Sequence, residues 1–139
     1  MMPTRRDIEY LKAVLEEERE RGEARLKDVA SRVGVRPPTA LEALRKLEDM
    51  GYLSHEHRRG YKLTEKGLRL CEEAIRKHRI IETYLVLFLG YNPDAACRHA
   101  SRFDIYVPLD VVDRICELLG HPDRCPHGMP IPPCSRRRG

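Results

Sequence analysis

Several residue types and kinds of segment are scarce or missing in this chain. The missing segments exclude certain classes of protein. The sequence has no tryptophan and no glutamine, and Asn92 is its single asparagine. The longest apolar run, Tyr84–Leu89, is far shorter than the roughly 20 residues that a membrane-spanning helix needs. The N-terminal charges are followed by no apolar stretch, so the sequence predicts no signal peptide and a cytoplasmic protein.

The composition fits a folded protein of modest size. The 139 residues allow one domain or two small ones, and 41% hydrophobic residues supply enough apolar material for a core. The formal net charge of +4 is weak evidence for a nucleic-acid partner, and three positive charges lie in the tail Ser135–Gly139. Five cysteines in a chain with no signal peptide indicate metal ligands, buried small hydrophobes or, in a hyperthermophile, intracellular disulfides.

The N-terminal half contains three helical patterns with clear ends. Thr4 and Asp7 form a predicted capping box for a first helix that should run to about Arg21, where Gly22 stops it. A second, short helix covers 26–33 and is closed by Gly34. A third opens at 36–39, where proline suits a first helical turn, and ends at Gly51, with Leu41, Leu44 and Leu47 as its predicted buried stripe.

A hairpin and a long helix follow. Residues 52–54 and 61–63 alternate as two short strands, and a helix capped at 64–67 is predicted to continue to Leu89. The sequence therefore predicts a mainly α protein, with a winged helix-turn-helix DNA-binding domain at 1–70 and a helical domain at 71–139. Helices at 94–102 and 108–119 lie in that second domain, before a proline-rich C-terminal strap and the basic tail.

The third helix and the hairpin tip carry the candidate DNA contacts. Arginines position a protein on phosphates or read guanine, and Glu42 can accept from a cytosine amino group. The alternatives are solvated surface charges or a winged helix that binds another protein. The predicted DNA-binding residues are Arg36, Pro38, Thr39, Glu42, Arg45, Arg58 and Arg59.

Possible metal ligands are concentrated in the second half. His78 and Glu82, four residues apart, project from one face of a helix, which suits half of a transition-metal site or an ordinary surface pair. Cys97, His99 and Asp104 follow at a looser spacing. Cys125, His127 and Cys134 could hold zinc, although the favoured interpretation is a strap that packs Met129 and Ile131 against the protein.

In this order, the motifs of the chain resemble those of the diphtheria-toxin-repressor family of metal-dependent transcriptional regulators, and especially its shorter two-domain members. The resemblance covers 4–132 and implies a homodimer, with a winged helix on each side joined through a helical, metal-binding domain. The matching segments are Tyr10–Lys12, Leu26–Ala30, Pro38–Thr39, Gly60–Gly67, Arg76–Arg79 with Glu82, Leu89–Gly90 and Pro126–Pro132.

The resemblance also implies site residues. His78 and Glu82 match metal ligands of the family, Glu9 matches an acidic ligand position, and Asp104 matches a carboxylate ligand. Cys97 falls on a histidine of the ancillary metal site, where its sulfur would favour zinc or ferrous iron over manganese. Two further ligand positions of the family's primary site hold a serine and an isoleucine at 101 and 105, so that site is degraded.

We therefore expect a dimeric, sequence-specific DNA-binding repressor controlled by Fe²⁺, Mn²⁺ or Zn²⁺. One alternative is a thiol sensor that uses Cys97, Cys116, Cys125 or Cys134, and another is a constitutive DNA-binding protein. An enzyme is disfavoured, because the sequence shows neither a nucleophile–base arrangement nor a phosphate-binding glycine loop. The apolar segment 84–89, together with Val111, Val112, Ile115 and Leu119, is the predicted dimer surface.

Overall fold

A computed structural model describes residues 3–134, and the basic tail at 135–139 lies outside the described residues. The chain divides into two compact units, residues 1–71 and 72–139. Among residues 3–134, none of the helices combines the length and the apolar character of a membrane-spanning segment. The predicted fold class, a winged helix-turn-helix followed by a helical domain, is confirmed.

The first unit begins with three helices whose ends lie close to their predicted positions. α1 covers Arg5–Arg21; the Thr4 hydroxyl accepts from the Asp7 backbone N–H at 3.1 Å, and the Asp7 carboxylate accepts from the Thr4 N–H at 2.9 Å. α2 covers Leu26–Val33 and α3 covers Pro37–Asp49. Gly34 joins α2 to α3 at a φ of 86°, a left-handed conformation that glycine adopts without a steric penalty.

The helices of this unit surround one core, to which α1 contributes Leu11 and Val14. The predicted stripe on α3 is wrong at one position. Leu44 and Leu47 are fully buried, but the third buried residue is Ala40, and Leu41 is only half-buried. Ala40 precedes Leu44 by four residues and so lies on the same face of the helix. Leu41 lies beside that face, toward the surface.

An antiparallel hairpin follows α3. β1 covers Leu53–Glu56, β2 covers Gly60–Leu63, and the register pairs Leu53 with Leu63 and Glu56 with Gly60. A Cβ at position 60 would lie 2.2 Å from the backbone oxygen of Ala24, and Gly60 has a φ of 87°. Only glycine fits at this point, where the hairpin crosses the segment between α1 and α2.

α4 covers Glu65–Leu89 without interruption, as predicted. Its first turn is bound to the end of α3, since the Lys66 ammonium donates to the Met50 carbonyl at 2.9 Å and the Thr64 hydroxyl donates to the Gly51 carbonyl at 2.7 Å. Most of this helix lies in the second unit, where it provides the buried residues Ile80 and Ile81.

The rest of the second unit consists of two helices and an irregular segment. α5 covers Pro93–Ala100 and α6 covers Leu109–Leu118, each ending slightly before its predicted end, with a single 3-10 turn at Asp104–Tyr106 between them. Residues 121–134, here called the C-terminal strap, form no helix or strand. Ile131 of the strap is buried as predicted, but Met129 is 49% exposed because it stands at a turn closed by Gly128.

A buried arginine fastens the strap to α4 and α6. Arg76 donates to the Asp113 carboxylate at 2.7 Å and to the Pro132 carbonyl at 3.1 Å, and one turn further along α4 Arg79 donates to the Pro130 carbonyl. Both members of the ion pair are buried, so solvent screens their attraction little.

Candidate metal centre and nucleic-acid interface

The centre of the candidate metal site is the Glu82 carboxylate, which is 2% exposed. His78 stands one helical turn earlier on the same face of α4, and its Nε2 lies 3.4 Å from Glu82 Oε2. Cys97, on α5, places its Sγ 3.4 Å from the same nitrogen. Ligand atoms of the three residues therefore lie within 4.8 Å of one another.

Asp104 contacts the opposite side of the His78 ring. Its Oδ2 lies 2.9 Å from His78 Nδ1, and its side chain is buried. A carboxylate at one ring nitrogen holds the proton there and leaves the lone pair of the other nitrogen for a metal. The structure thus places Asp104 against one ring nitrogen of His78, while Nε2 faces Glu82 and Cys97, and the roles of His78 and Asp104 as ligands stay predictions.

The Cys97 thiol is half-buried beside several acidic groups. Burial raises the pKa of Cys97, and the negative charge of Glu82 raises it further. The thiol is therefore protonated at neutral pH when no cation is near, and coordination of a metal would release its proton.

Two strap residues that the sequence showed only as alternative zinc ligands, Cys125 and His127, also lie close to Glu82. His127 Nδ1 is 2.5 Å from Glu82 Oε1, and Cys125 completes a second triad whose ligand atoms lie within 4.8 Å. His127 Nε2 also lies 3.0 Å from the Asp94 carboxylate, and the hydrogen bonds to Asp94 and Glu82 raise the pKa of His127. The sequence showed Cys125 and His127 as possible ligands but grouped them with Cys134, which the fold places elsewhere.

We call His78, Glu82, Cys97, Cys125 and His127 the Glu82 cluster. Zinc–nitrogen and zinc–oxygen bonds of about 2.1 Å in a tetrahedral site separate the two ligand atoms by roughly 3.4 Å. The distance between His78 Nε2 and Glu82 Oε2 has this value. Nitrogen, sulfur and carboxylate oxygen are together a donor set for a divalent transition metal, so the residues fit such an ion.

Two other side chains named as possible ligands are not members of this cluster. Glu9 is exposed on α1 in the first unit, where Arg6 donates to its carboxylate at 2.9 Å. His99 is exposed on α5, and its ring contacts that of Tyr91. The role of Glu9 as a ligand therefore stays a prediction.

The predicted DNA-binding residues are all exposed in the first unit. Arg36 is the N-cap of α3, Thr39 and Arg45 lie on that helix, and Arg58 and Arg59 occupy the hairpin turn. Within residues 3–134, these four arginines form no ion pair, whereas Arg32 of α2 is bonded to Glu16, Glu17 and Glu20 of α1. The last two predicted residues, Pro38 and Glu42, are also exposed on α3.

Family comparisons agree with both parts of this description. Residues 2–61 match the family described as iron dependent repressor, N-terminal DNA binding domain, and residues 64–133 match its metal binding and dimerisation domain. The chain belongs to the iron-dependent repressor family. This confirms the family indicated by the motifs, and with it the prediction of a DNA-binding transcriptional regulator controlled by a divalent transition metal.

Individual relatives of this repressor are similar at moderate identity. The transcriptional regulator MntR of Escherichia coli O6:H1 is 36% identical over 105 residues, which cover 76% of this chain and 67% of that protein. The crystal structure of the hypothetical protein SSo2273 from Sulfolobus solfataricus matches with a TM-score of 0.82 and 29% identity, over 93% of this chain and 98% of that one. The structure of ScaR with bound Zn²⁺ matches with a TM-score of 0.79 and 35% identity, over 94% of this chain and 60% of that one.

Proposed function

We propose that this member of the family is a cytoplasmic, homodimeric repressor of transcription, without catalytic activity or a membrane partner. In this proposal, a metal ion at the Glu82 cluster sets the affinity of the repressor for its operator. The observation that carries the proposal is the convergence of His78 Nε2, Glu82 Oε2 and Cys97 Sγ, which come from two different helices. A surface ion pair along α4 would not involve a third donor from α5.

The donor set favours zinc or ferrous iron over manganese. Sulfur is a soft ligand, and manganese prefers carboxylate, carbonyl and water oxygens. Cys97 and Cys125 bring two sulfurs to the cluster, each within 4.8 Å of a Glu82 carboxylate oxygen. His78 and Glu82 are fixed by the same helix, whereas Cys97 and Cys125 depend on the fold of the second unit.

The proposed DNA-binding surface has two parts, one suited to phosphate contacts and one suited to base contacts. The exposed arginines at the hairpin turn are suited to phosphate contacts, which contribute affinity for every sequence. The exposed residues of α3, Thr39 and Arg45, are suited to base edges in the major groove. With two copies per dimer, we expect a pseudo-palindromic operator with half-sites about 10 base pairs apart or a multiple of this.

Exposed apolar side chains in the second unit support dimerisation. Phe88 is 54% exposed and Leu118 is 63% exposed, and Val111 is exposed as predicted. The predicted surface is wrong at Val112 and Leu85. Both are buried within the unit, because Val112 packs in a core cluster with Ile80 and Leu85 packs in one with Ile81. The larger exposed apolar set is Leu87, Phe88, Leu89, Tyr91, Phe103, Tyr106, Val111, Leu118 and Met129.

A selection of operator sequences from random DNA, repeated with a chelator and with Zn²⁺, Fe²⁺ or Mn²⁺, tests the proposal. Metal should be needed for tight binding to the selected operator, and the variant H78A/E82Q should lose that dependence. The matched control is H99A, which removes an exposed imidazole of the same unit outside the cluster. Equal binding with chelator and with metal would leave a constitutive DNA-binding protein, and a response to oxidant alone would favour a thiol sensor.

A further inference from the structure

A second group of metal-binding side chains lies at the end of α6, apart from the Glu82 cluster. Cys116 is in the last turn of α6, His121 begins the strap shortly after the helix, and Cys134 ends the strap. Their ligand atoms lie within 4.8 Å of one another, and both thiols are buried. We call these three residues the Cys116 cluster.

The two sulfurs converge on one nitrogen atom. His121 Nδ1 lies 3.4 Å from Cys116 Sγ and 3.6 Å from Cys134 Sγ. This nitrogen has either one lone pair or one proton, so it can form a good hydrogen bond with only one of the two sulfurs. Tetrahedral zinc with bonds of about 2.3 Å to sulfur and 2.0 to 2.1 Å to nitrogen separates these atoms by roughly 3.5 Å. Both measured distances are close to that value.

The backbone at His121 is held in an uncommon conformation. Its φ is 55°, in the left-handed region that a residue other than glycine rarely occupies. This conformation directs the imidazole toward the two thiols, immediately after the left-handed Gly120. Strain of this kind is concentrated at functional sites, where neighbouring structure maintains it.

We propose that Cys116, His121 and Cys134 bind a structural zinc ion, with the fourth position taken by Asp123 or water. Asp123 lines the same cavity of about 140 Å³ as the three ligands. Two thiolates would neutralise the charge of Zn²⁺, and the neighbouring Arg76, which is paired with Asp113, also donates to the Cys116 sulfur. The ion would add no net charge to this buried region.

The zinc would fix the strap at both of its ends. Cys116 and His121 lie where the strap leaves α6, and Cys134 lies at its other end, so a shared ion closes the intervening loop. The strap carries Cys125 and His127 of the Glu82 cluster between these points. At a free zinc concentration 100 times the Kd, the opened form of the strap should become about 100-fold less populated.

The experiment uses the full chain with the triple substitution E82Q/C97S/C125S, which keeps the Cys116 cluster and removes Glu82 and the other two thiols of the second unit. Zinc alone is added, and X-ray absorption, zinc content and hydrogen exchange of the strap are measured. We expect one tightly bound zinc per chain with two sulfurs at about 2.3 Å. Zinc should also slow the exchange of strap amides about 100-fold at the concentration given above.

The paired variant C116S/C134S should lose the two-sulfur zinc signal and the zinc-dependent protection of the strap. If this variant does not fold, the triple variant still decides, because it retains every proposed ligand. Zinc bound without sulfur or no tightly bound zinc in the triple variant would overturn the proposal. A disulfide between Cys116 and Cys134 that persists in the zinc-loaded protein would do the same.

Discussion

Replacement of Asp104 by alanine should weaken metal binding, although Asp104 is not a member of the Glu82 cluster and acts through His78. The Asp104 carboxylate accepts from His78 Nδ1 at 2.9 Å, which leaves Nε2 facing Glu82 and Cys97. Without the carboxylate, the proton can move to Nε2 and the ring can rotate. Both changes remove the lone pair from the position where a metal would use it.

The size of the effect follows from the burial of this contact. Loss of the partner of a histidine ligand costs about 10- to 100-fold in metal affinity, or roughly 1.4 to 2.8 kcal/mol. Asp104 is almost fully buried, so water cannot replace it well, and D104A should lie near the upper value. D104N keeps an acceptor oxygen without the charge, and we expect a loss of about tenfold.

Competition for zinc against a chromophoric chelator at fixed pH measures these affinities. The matched control is D94A, since the Asp94 carboxylate also contacts a histidine, His127, but is 83% exposed. Water can replace Asp94, so a change of less than threefold is expected. An affinity of D104A equal to that of the unmodified protein would refute the orienting role. A loss as complete as that of H78A would instead make Asp104 a ligand.

Three further predictions concern DNA binding, assembly and pH. The variant R58A/R59A should bind all DNA sequences more weakly and show a flatter salt dependence, whereas T39A should change the preferred sequence. Identical behaviour of the two variants would contradict the division into phosphate-contacting and base-contacting residues. The substitution F88E places a charge on the exposed apolar face and should yield monomers by sedimentation at micromolar concentration, while an unchanged dimer would exclude Phe88 from the interface. Burial and the charge of Glu82 raise the pKa of Cys97, so zinc must displace a proton from this thiol when it binds. Zinc affinity should therefore fall as the pH is lowered, and calorimetry should detect proton release on zinc binding. The variant C97S should release fewer protons.

Local sequence signals predicted the helix ends because the interactions there are local. The capping box needs only Thr4 and Asp7, and Gly34 adopts its left-handed turn beside the helix that it ends. The pair His78 and Glu82 was visible for the same reason, since helical spacing alone puts both side chains on one face.

The remaining features of the site depend on contacts between distant segments. His127 reaches Glu82 across 45 positions, and His121 meets Cys134 across 13, in a strap without helical or strand periodicity. Periodicity cannot place such residues, so the sequence grouped Cys134 with its neighbour Cys125 and passed over His121. A left-handed His121 directly after a glycine is a backbone property that no spacing rule shows.

The contacts along α4 depend on the spacing of their residues along the helix. They therefore constrain the length of α4 more strongly than they constrain its amino-acid composition. Arg76 and Arg79 hold the strap, and His78 and Glu82 are the proposed ligands, within two turns of one helix. One inserted residue would rotate everything beyond it by about 100° and advance it by about 1.5 Å. A single insertion or deletion between Arg76 and Glu82 would therefore separate the strap contacts from the ligand row. Natural length variation should instead fall outside the segment 76–82, where added residues leave that row in register.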